Sequence, residues 1–123
     1  MTIKNLKAIV VSALFATPFI PFIVTNSLFF PFVTGKAFVF RILVEIAFCL
    51  WVILIIKDSS FRPKKSWLLY AVSIFVGVIF LADVFGVNFY RSFWSNFERM
   101  DGFITLLHLF AYFLMLGTVF KTE

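Results

Sequence analysis

Charged residues are scarce in this sequence. Asp, Glu, Lys and Arg together make up 14% of 123 positions, against 63% hydrophobic ones. A soluble domain of this length needs a polar surface to cover its core. This chain has too little to cover itself, which excludes a water-soluble globule and makes lipid the solvent. There is a single cysteine, Cys49, and it sits inside an apolar run. No disulfide framework and no Cys-based metal site is possible within one copy, and packing is the expected role of Cys49. There is a single histidine, His108, so no second imidazole is available for a metal site. Period-2 alternation is absent, as are heptads, repeats of 20–50 residues and low-complexity linkers.

What is present is long apolar runs rich in phenylalanine, of which there are twenty. A helix rising about 1.5 Å per residue needs about 20 apolar residues to cross about 30 Å of hydrocarbon. Four runs qualify: about 6–24, 37–56, 67–85 and 103–120. The predicted fold class is therefore all-α: an integral membrane bundle of four transmembrane helices. The first run has a basic flank, Lys4 and Lys7, like a signal peptide. Its apolar stretch continues past Pro18 and Pro21, however, with no clean Ala-x-Ala site, so an uncleaved span is expected. The two prolines should kink it or break its outer end into a shorter helix plus a turn.

The net charge is +5, yet the basic residues form no nucleic-acid stripe. They fall at the ends of the apolar runs, where they set topology. Lys57, Arg62, Lys64 and Lys65 crowd one short loop, Lys4 and Lys7 precede the first span, and Lys121 follows the last. The opposite side holds Lys36, Arg91 and Arg99, with Arg41 just inside the second span. This asymmetry predicts N-in and C-in, with the loop 86–102 on the outer face.

The costly polar groups Arg41, Glu45, Asp83, Arg91, Glu98, Arg99, Asp101 and His108 all fall in the outer half or outer loop. The inner half reads as nearly pure hydrocarbon. An ion path would need polar groups through the full depth, so the pattern points to a site opening outward. Arg41 and Glu45, four apart, share a helix face at about 6 Å and about 12 Å below the outer boundary. They read either as an intrahelical ion pair with a snorkelling arginine or as a guanidinium aimed at an anionic head group. Asp83 is an interfacial or helix-end acid, or a partner for Arg91 or Arg41. Asp101, Thr105, His108 and Tyr112 keep to one face of the last span, which should look into protein or water. His108, about 8 Å inside, is a packing residue, a proton-transfer or substrate group, or, least of all, a metal ligand. Asp101 can serve as a helix cap. The loop itself is either a solvated, aromatic-belted connection or a surface-lying or re-entrant segment presenting arginines to a lipid-linked phosphate.

Two blocks resemble a known family. Phe30-Pro31-Phe32-Val33-Thr34-Gly35-Lys36 through Phe40-Arg41-Ile42-Leu43-Val44-Glu45, with Arg62-Pro63-Lys64-Lys65-Ser66-Trp67, resembles the N-terminal region of bacterial O-antigen ligase/polymerase membrane proteins. Asp83-Val84-Phe85-Gly86-Val87-Asn88, Arg91-Ser92-Phe93-Trp94-Ser95-Asn96-Phe97-Glu98-Arg99-Met100-Asp101-Gly102 and Leu106-Leu107-His108 resemble the family's early outer-loop signature. The likeness runs from about Pro18 to the end. It implies a multi-pass protein of the bacterial inner (cytoplasmic) membrane that transfers a glycan from undecaprenyl diphosphate to an acceptor at the outer leaflet. It implies no metal and no cofactor. The family's principal catalytic groups lie in a later outer loop, so the expectation is an N-terminal piece of a larger enzyme whose partners are membrane lipid, the lipid-linked glycan and the remaining spans. No catalytic residue is carried over. Arg41, Arg91 and Arg99 are the candidate diphosphate contacts, with Glu45, Asp83, Glu98, Asp101 and His108 as supporting polar groups. The competing readings are a small structural or partner-binding membrane protein and a small exporter, for which Glu45 is the one mid-span acid.

Overall fold

A computed structural model describes residues 2–23, 34–95 and 101–120. Among these residues the chain is all helix. α1 spans Ile3–Ala16 and passes into a 3-10 segment at Thr17–Phe22. α2 is Thr34–Lys57, α3 Trp67–Val84, α4 Phe89–Trp94 and α5 Phe103–Val119. A short 3-10 turn, Ser59–Phe61, links α2 to α3.

The local causes are legible. The α-helix of α1 stops at Ala16, because Pro18 has no N–H to donate to the Leu14 carbonyl, which accepts from the Thr17 and Tyr112 hydroxyls instead. Pro18 opens the 3-10 segment and Pro21 sits inside it, which is the shorter helix plus tight turn that the two prolines imply. Lys57 lies in the last turn of α2, where a cation complements the helix dipole. The Asp58 carboxylate then accepts from the Ser60 N–H at 2.9 Å. Ser66 caps α3, its Oγ accepting from the Leu69 N–H at 3.1 Å, a standard Ncap contact.

Three helices are long and apolar enough to cross a membrane: Ile3–Phe22 with its 3-10 extension, Thr34–Lys57 and Trp67–Val84. The last, Phe103–Val119, is equally apolar but has 17 residues. Hydrogen bonds between side chains fix the helix directions. Arg41 reaches Thr105, Glu45 reaches His108 and Trp51 reaches Thr118. The numbers rise together along both helices, so α2 and α5 run parallel. On α1 the order is reversed: Thr17 meets Tyr112 while Phe15 meets Phe120. α1 is therefore antiparallel to both. Lys7 lies 5.6 Å over the Phe61 ring, which brings the start of α1 to the α2–α3 turn.

One end of the bundle thus gathers Lys4, Lys7, Lys57, Arg62, Lys64 and Lys65, and is called the basic end below. The other, the mixed end, carries Lys36, Arg41, Asp83, Arg91 and Asp101.

The core lies where α1, α2 and α5 meet. Val10, Leu14, Val44, Ala47, Trp51, Met115 and Val119 are all buried there. α3 packs chiefly on α5 and buries only Val76 fully, leaving Ile74, Phe75, Val78 and Leu81 exposed. The half toward the basic end holds a buried polar pair. The Trp51 indole N–H donates to Thr118 Oγ1 at 2.8 Å in buried surroundings, and Thr118 in turn donates to backbone carbonyls of Leu114 and Met115. Two polar groups cancel each other within the helix pair, so neither shows as a costly residue in the sequence.

Candidate functional site at the mixed end

The mixed end is built on α2 and α5, with the 3-10 segment and α4 closing its flanks. Arg41 is only 7% exposed, and its Nη2 donates to Thr105 Oγ1 at 2.6 Å. It does not snorkel toward an interface. Glu45 is the twelfth of the 24 residues of α2, so it sits at the middle of that helix and not near its start. The helix begins at Thr34, three residues before the apolar run. Its carboxylate pairs with His108 Nε2 at 3.0 Å. Arg41 and Glu45 therefore do not pair with each other. Each is taken by a different residue of α5: Arg41 by Thr105 and Glu45 by His108.

The stripe on α5 does face protein. Thr105 holds Arg41, and His108 holds Glu45. Tyr112 bonds Thr17 at 2.8 Å and donates to the Leu14 carbonyl at 3.3 Å. Its ring stands edge-on to Phe40 at 6.2 Å. One polar face of α5 thus ties three strangers in sequence to itself, each worth about 1 kcal/mol or less in such surroundings. Asp101, at the top of the stripe, is exposed and is not the helix cap. Gly102 holds that position, without a side-chain cap.

Between the 3-10 segment and the first turns of α2 and α5 lies an open cleft of about 580 Å³. Pro18, Ile20, Pro21, Phe40 and Leu109 give it apolar walls, and Lys36 and Asp101 bring opposite charges to its lining. Sequence reading had placed Lys36 on this side without a role. The proline pair was the available signal: it pulls the chain out of regular helix and opens the space beside it.

α4 carries Arg91 exposed on its last turn. Phe93 of α4 packs its ring on Phe80 and Phe103, with centroids 6.1 Å and 5.2 Å away. The junction between α4 and α5 is close. A Cβ on Gly102 would collide with the backbone carbonyl of Phe93. The joint therefore requires glycine at position 102.

Asp83 is half-buried near the end of α3. Among the described residues it makes no ion pair with Arg41 or Arg91. Glu98 and Arg99 lie outside the described residues. Cys49 is exposed, not packed, since it follows Glu45 by one turn on the outward face of α2. No group of three or more His, Cys, Asp or Glu residues suited to a metal ion occurs among the described residues.

Chemically the mixed end offers a largely apolar cleft with one cation, Lys36, and one carboxylate, Asp101, in its lining, a buried guanidinium beside it, and an exposed arginine on the flanking short helix. That combination suits an amphiphile with an anionic head and a hydrocarbon tail. No family model, no curated protein and no solved structure matches the chain.

Proposed function

We propose that this chain is the N-terminal membrane region of an O-antigen ligase-like glycosyltransferase, one that moves a glycan from undecaprenyl diphosphate to an acceptor at the outer leaflet of the bacterial inner membrane. In this reading all four apolar helices cross the bilayer. The basic end faces the cytoplasm, in keeping with the positive-inside rule, and the mixed end faces out. The carrying observation is the largely apolar cleft at the mixed end, with Lys36 and Asp101 in its lining. An isoprenoid tail fits such walls, and a diphosphate gains from fixed cations as negative charge grows on it in the transition state. The resemblance of 83–102 to the family's early outer-loop signature supports the same reading.

The buried, Thr105-bound Arg41 serves here as a strut and not as a head-group contact. Arg91 and Lys36 take that part, with Arg99 as a second cation of the loop that carries Arg91. Catalytic groups come from outside this region. The exporter reading loses its mid-span acid, because Glu45 is already engaged by His108. The partner-binding reading draws on the apolar face of α3, which lipid or further helices satisfy equally.

The test uses the product of the complete reading frame in proteoliposomes with an undecaprenyl-diphosphate glycan. Arg91→Ala should lower transfer by about tenfold or more, as expected for losing one charge-assisted contact of roughly 1.5–3 kcal/mol. Arg91→Lys should keep part of the rate. Undiminished transfer in both variants, or no transfer by the unaltered protein, contradicts the proposal.

A further inference from the structure

The cleft at the mixed end continues along the bundle. A second groove of about 200 Å³ runs on from it between α1 and α5, walled by Leu14, Phe15, Leu116 and Phe120. Pro18 and Tyr112 line both spaces, so the two are joined. Phe15 and Phe120 meet at the far end with ring centroids 5.5 Å apart. From Thr105 to Leu116 the path covers roughly 16 Å of α5 at about 1.5 Å per residue. None of the residues lining the groove is charged.

The charges are confined to the mouth. Lys36, half-buried in the first turn of α2, and Asp101, exposed just ahead of α5, both line the cleft. Among the described residues neither is ion-paired, with the other or with any third group. The polar groups deeper in the lining are already engaged, Tyr112 with Thr17 at 2.8 Å and Thr105 with Arg41 at 2.6 Å. An occupant therefore meets one cation and one carboxylate above apolar walls. A purely anionic head group gains from Lys36 and is repelled by Asp101, and a purely cationic one meets the reverse. A zwitterion satisfies both. A primary ammonium donates N–H groups to a carboxylate in charge-assisted bonds, and a quaternary ammonium has none to donate. The quaternary group is recognised by an aromatic cage, but the two rings of this lining, Phe40 and Tyr112, stand edge-on to each other at 6.2 Å.

We infer that the cleft and groove hold a molecule of phosphatidylethanolamine lengthwise, its phosphate on Lys36, its ammonium on Asp101 and an acyl chain between α1 and α5. The inference goes beyond the glycan-transfer reading and does not rest on it. Where both operate, the phospholipid is the resident that a carrier lipid displaces.

The test is native mass spectrometry of the full chain, released from micelles that contain equal amounts of dioleoyl phosphatidylethanolamine, phosphatidylcholine and phosphatidylglycerol. No glycan or carrier is present, so the outcome is separate from that of the transfer assay. Phosphatidylethanolamine should be retained about tenfold over either of the others, the ratio expected for one charge-assisted contact. Asp101→Asn should bring the ethanolamine and choline lipids to parity, and Lys36→Gln should lower retention of phosphatidylethanolamine by about tenfold. The wild-type mixture decides the head-group preference even if a variant does not fold. A phosphatidylethanolamine with a diazirine in its acyl chain locates the tail, and crosslinks to 14–18 and 109–120 are expected. Equal retention of the three lipids, or best retention of the choline or glycerol lipid, overturns the inference. So does a preference that Asp101→Asn leaves intact, a retention that Lys36→Gln leaves intact, or crosslinking confined to α3.

Discussion

Single side chains carry the cross-links of this bundle, and their partners were the least readable part of the sequence. Arg41 and Glu45 stand four apart, and the i,i+4 rule offers them to each other. The structure gives Arg41 to Thr105 and Glu45 to His108 instead. The rule describes an isolated helix in water. A neighbouring helix at packing distance supplies better-placed partners, and no property of α2 alone announces which neighbour that is. The α5 stripe was readable because its signal is internal to one helix: polar residues at steps of four, three and four cannot all face lipid. Trp51 and Thr118 gave no signal, since each is ordinary by itself. Thr118→Val tests that pair. It keeps the shape and removes the acceptor, leaving the Trp51 N–H buried and unsatisfied. The expected cost is about 1–3 kcal/mol, measured as a lowered unfolding midpoint in detergent. An unchanged midpoint would mean that Trp51 contributes packing alone.

Helix positions followed from apolar run length, and their ends followed from punctuation. The first run broke where Pro18 and Pro21 required it, and α3 begins behind Ser66 as a capped helix should. The start of α2 was placed too late, because Thr34 and Gly35 interrupt the apolar run without interrupting the helix. α4 escaped notice because six residues rich in aromatics have no periodicity to detect. It is held by ring contacts with Phe80 and Phe103 and by the tight turn into α5. Ser95 closes it at φ 61° and ψ −160°, a region that a residue with a Cβ enters only at a cost of order 1–3 kcal/mol. The surrounding aromatic contacts offset that cost. Gly102 is the matching device on the α5 side. Gly102→Ala should push α4 off the start of α5 and expose Phe93 and Phe103. Faster hydrogen exchange across 89–95 with little change in the α1–α2 core is the expected outcome. Protection equal to wild type would show that the joint has slack which the backbone contact with Phe93 does not suggest.

On the scale of the whole molecule, the charges divide by end. Parallel α2 and α5 with antiparallel α1 bring six cations to the basic end, while Arg41, Asp83, Arg91, Asp101 and Lys36 keep to the other. The general class, a set of long apolar helices, was legible because run length is a property of the chain read in order. The cleft was not, because it forms between segments far apart in sequence and depends on how the proline-broken end of α1 leans on α2 and α5. Glycan transfer at the cleft requires that its end of the bundle face away from the cytoplasm. Labelling of single cysteines on intact cells measures that orientation directly. With Cys49 replaced by alanine, a membrane-impermeant thiol reagent should modify Val87→Cys, a fully exposed position in the connection after α3, and should spare Ser60→Cys until the membrane is opened. Labelling of Ser60→Cys but not Val87→Cys in intact cells would turn the bundle over and remove the basis for an outward-facing carrier-lipid site.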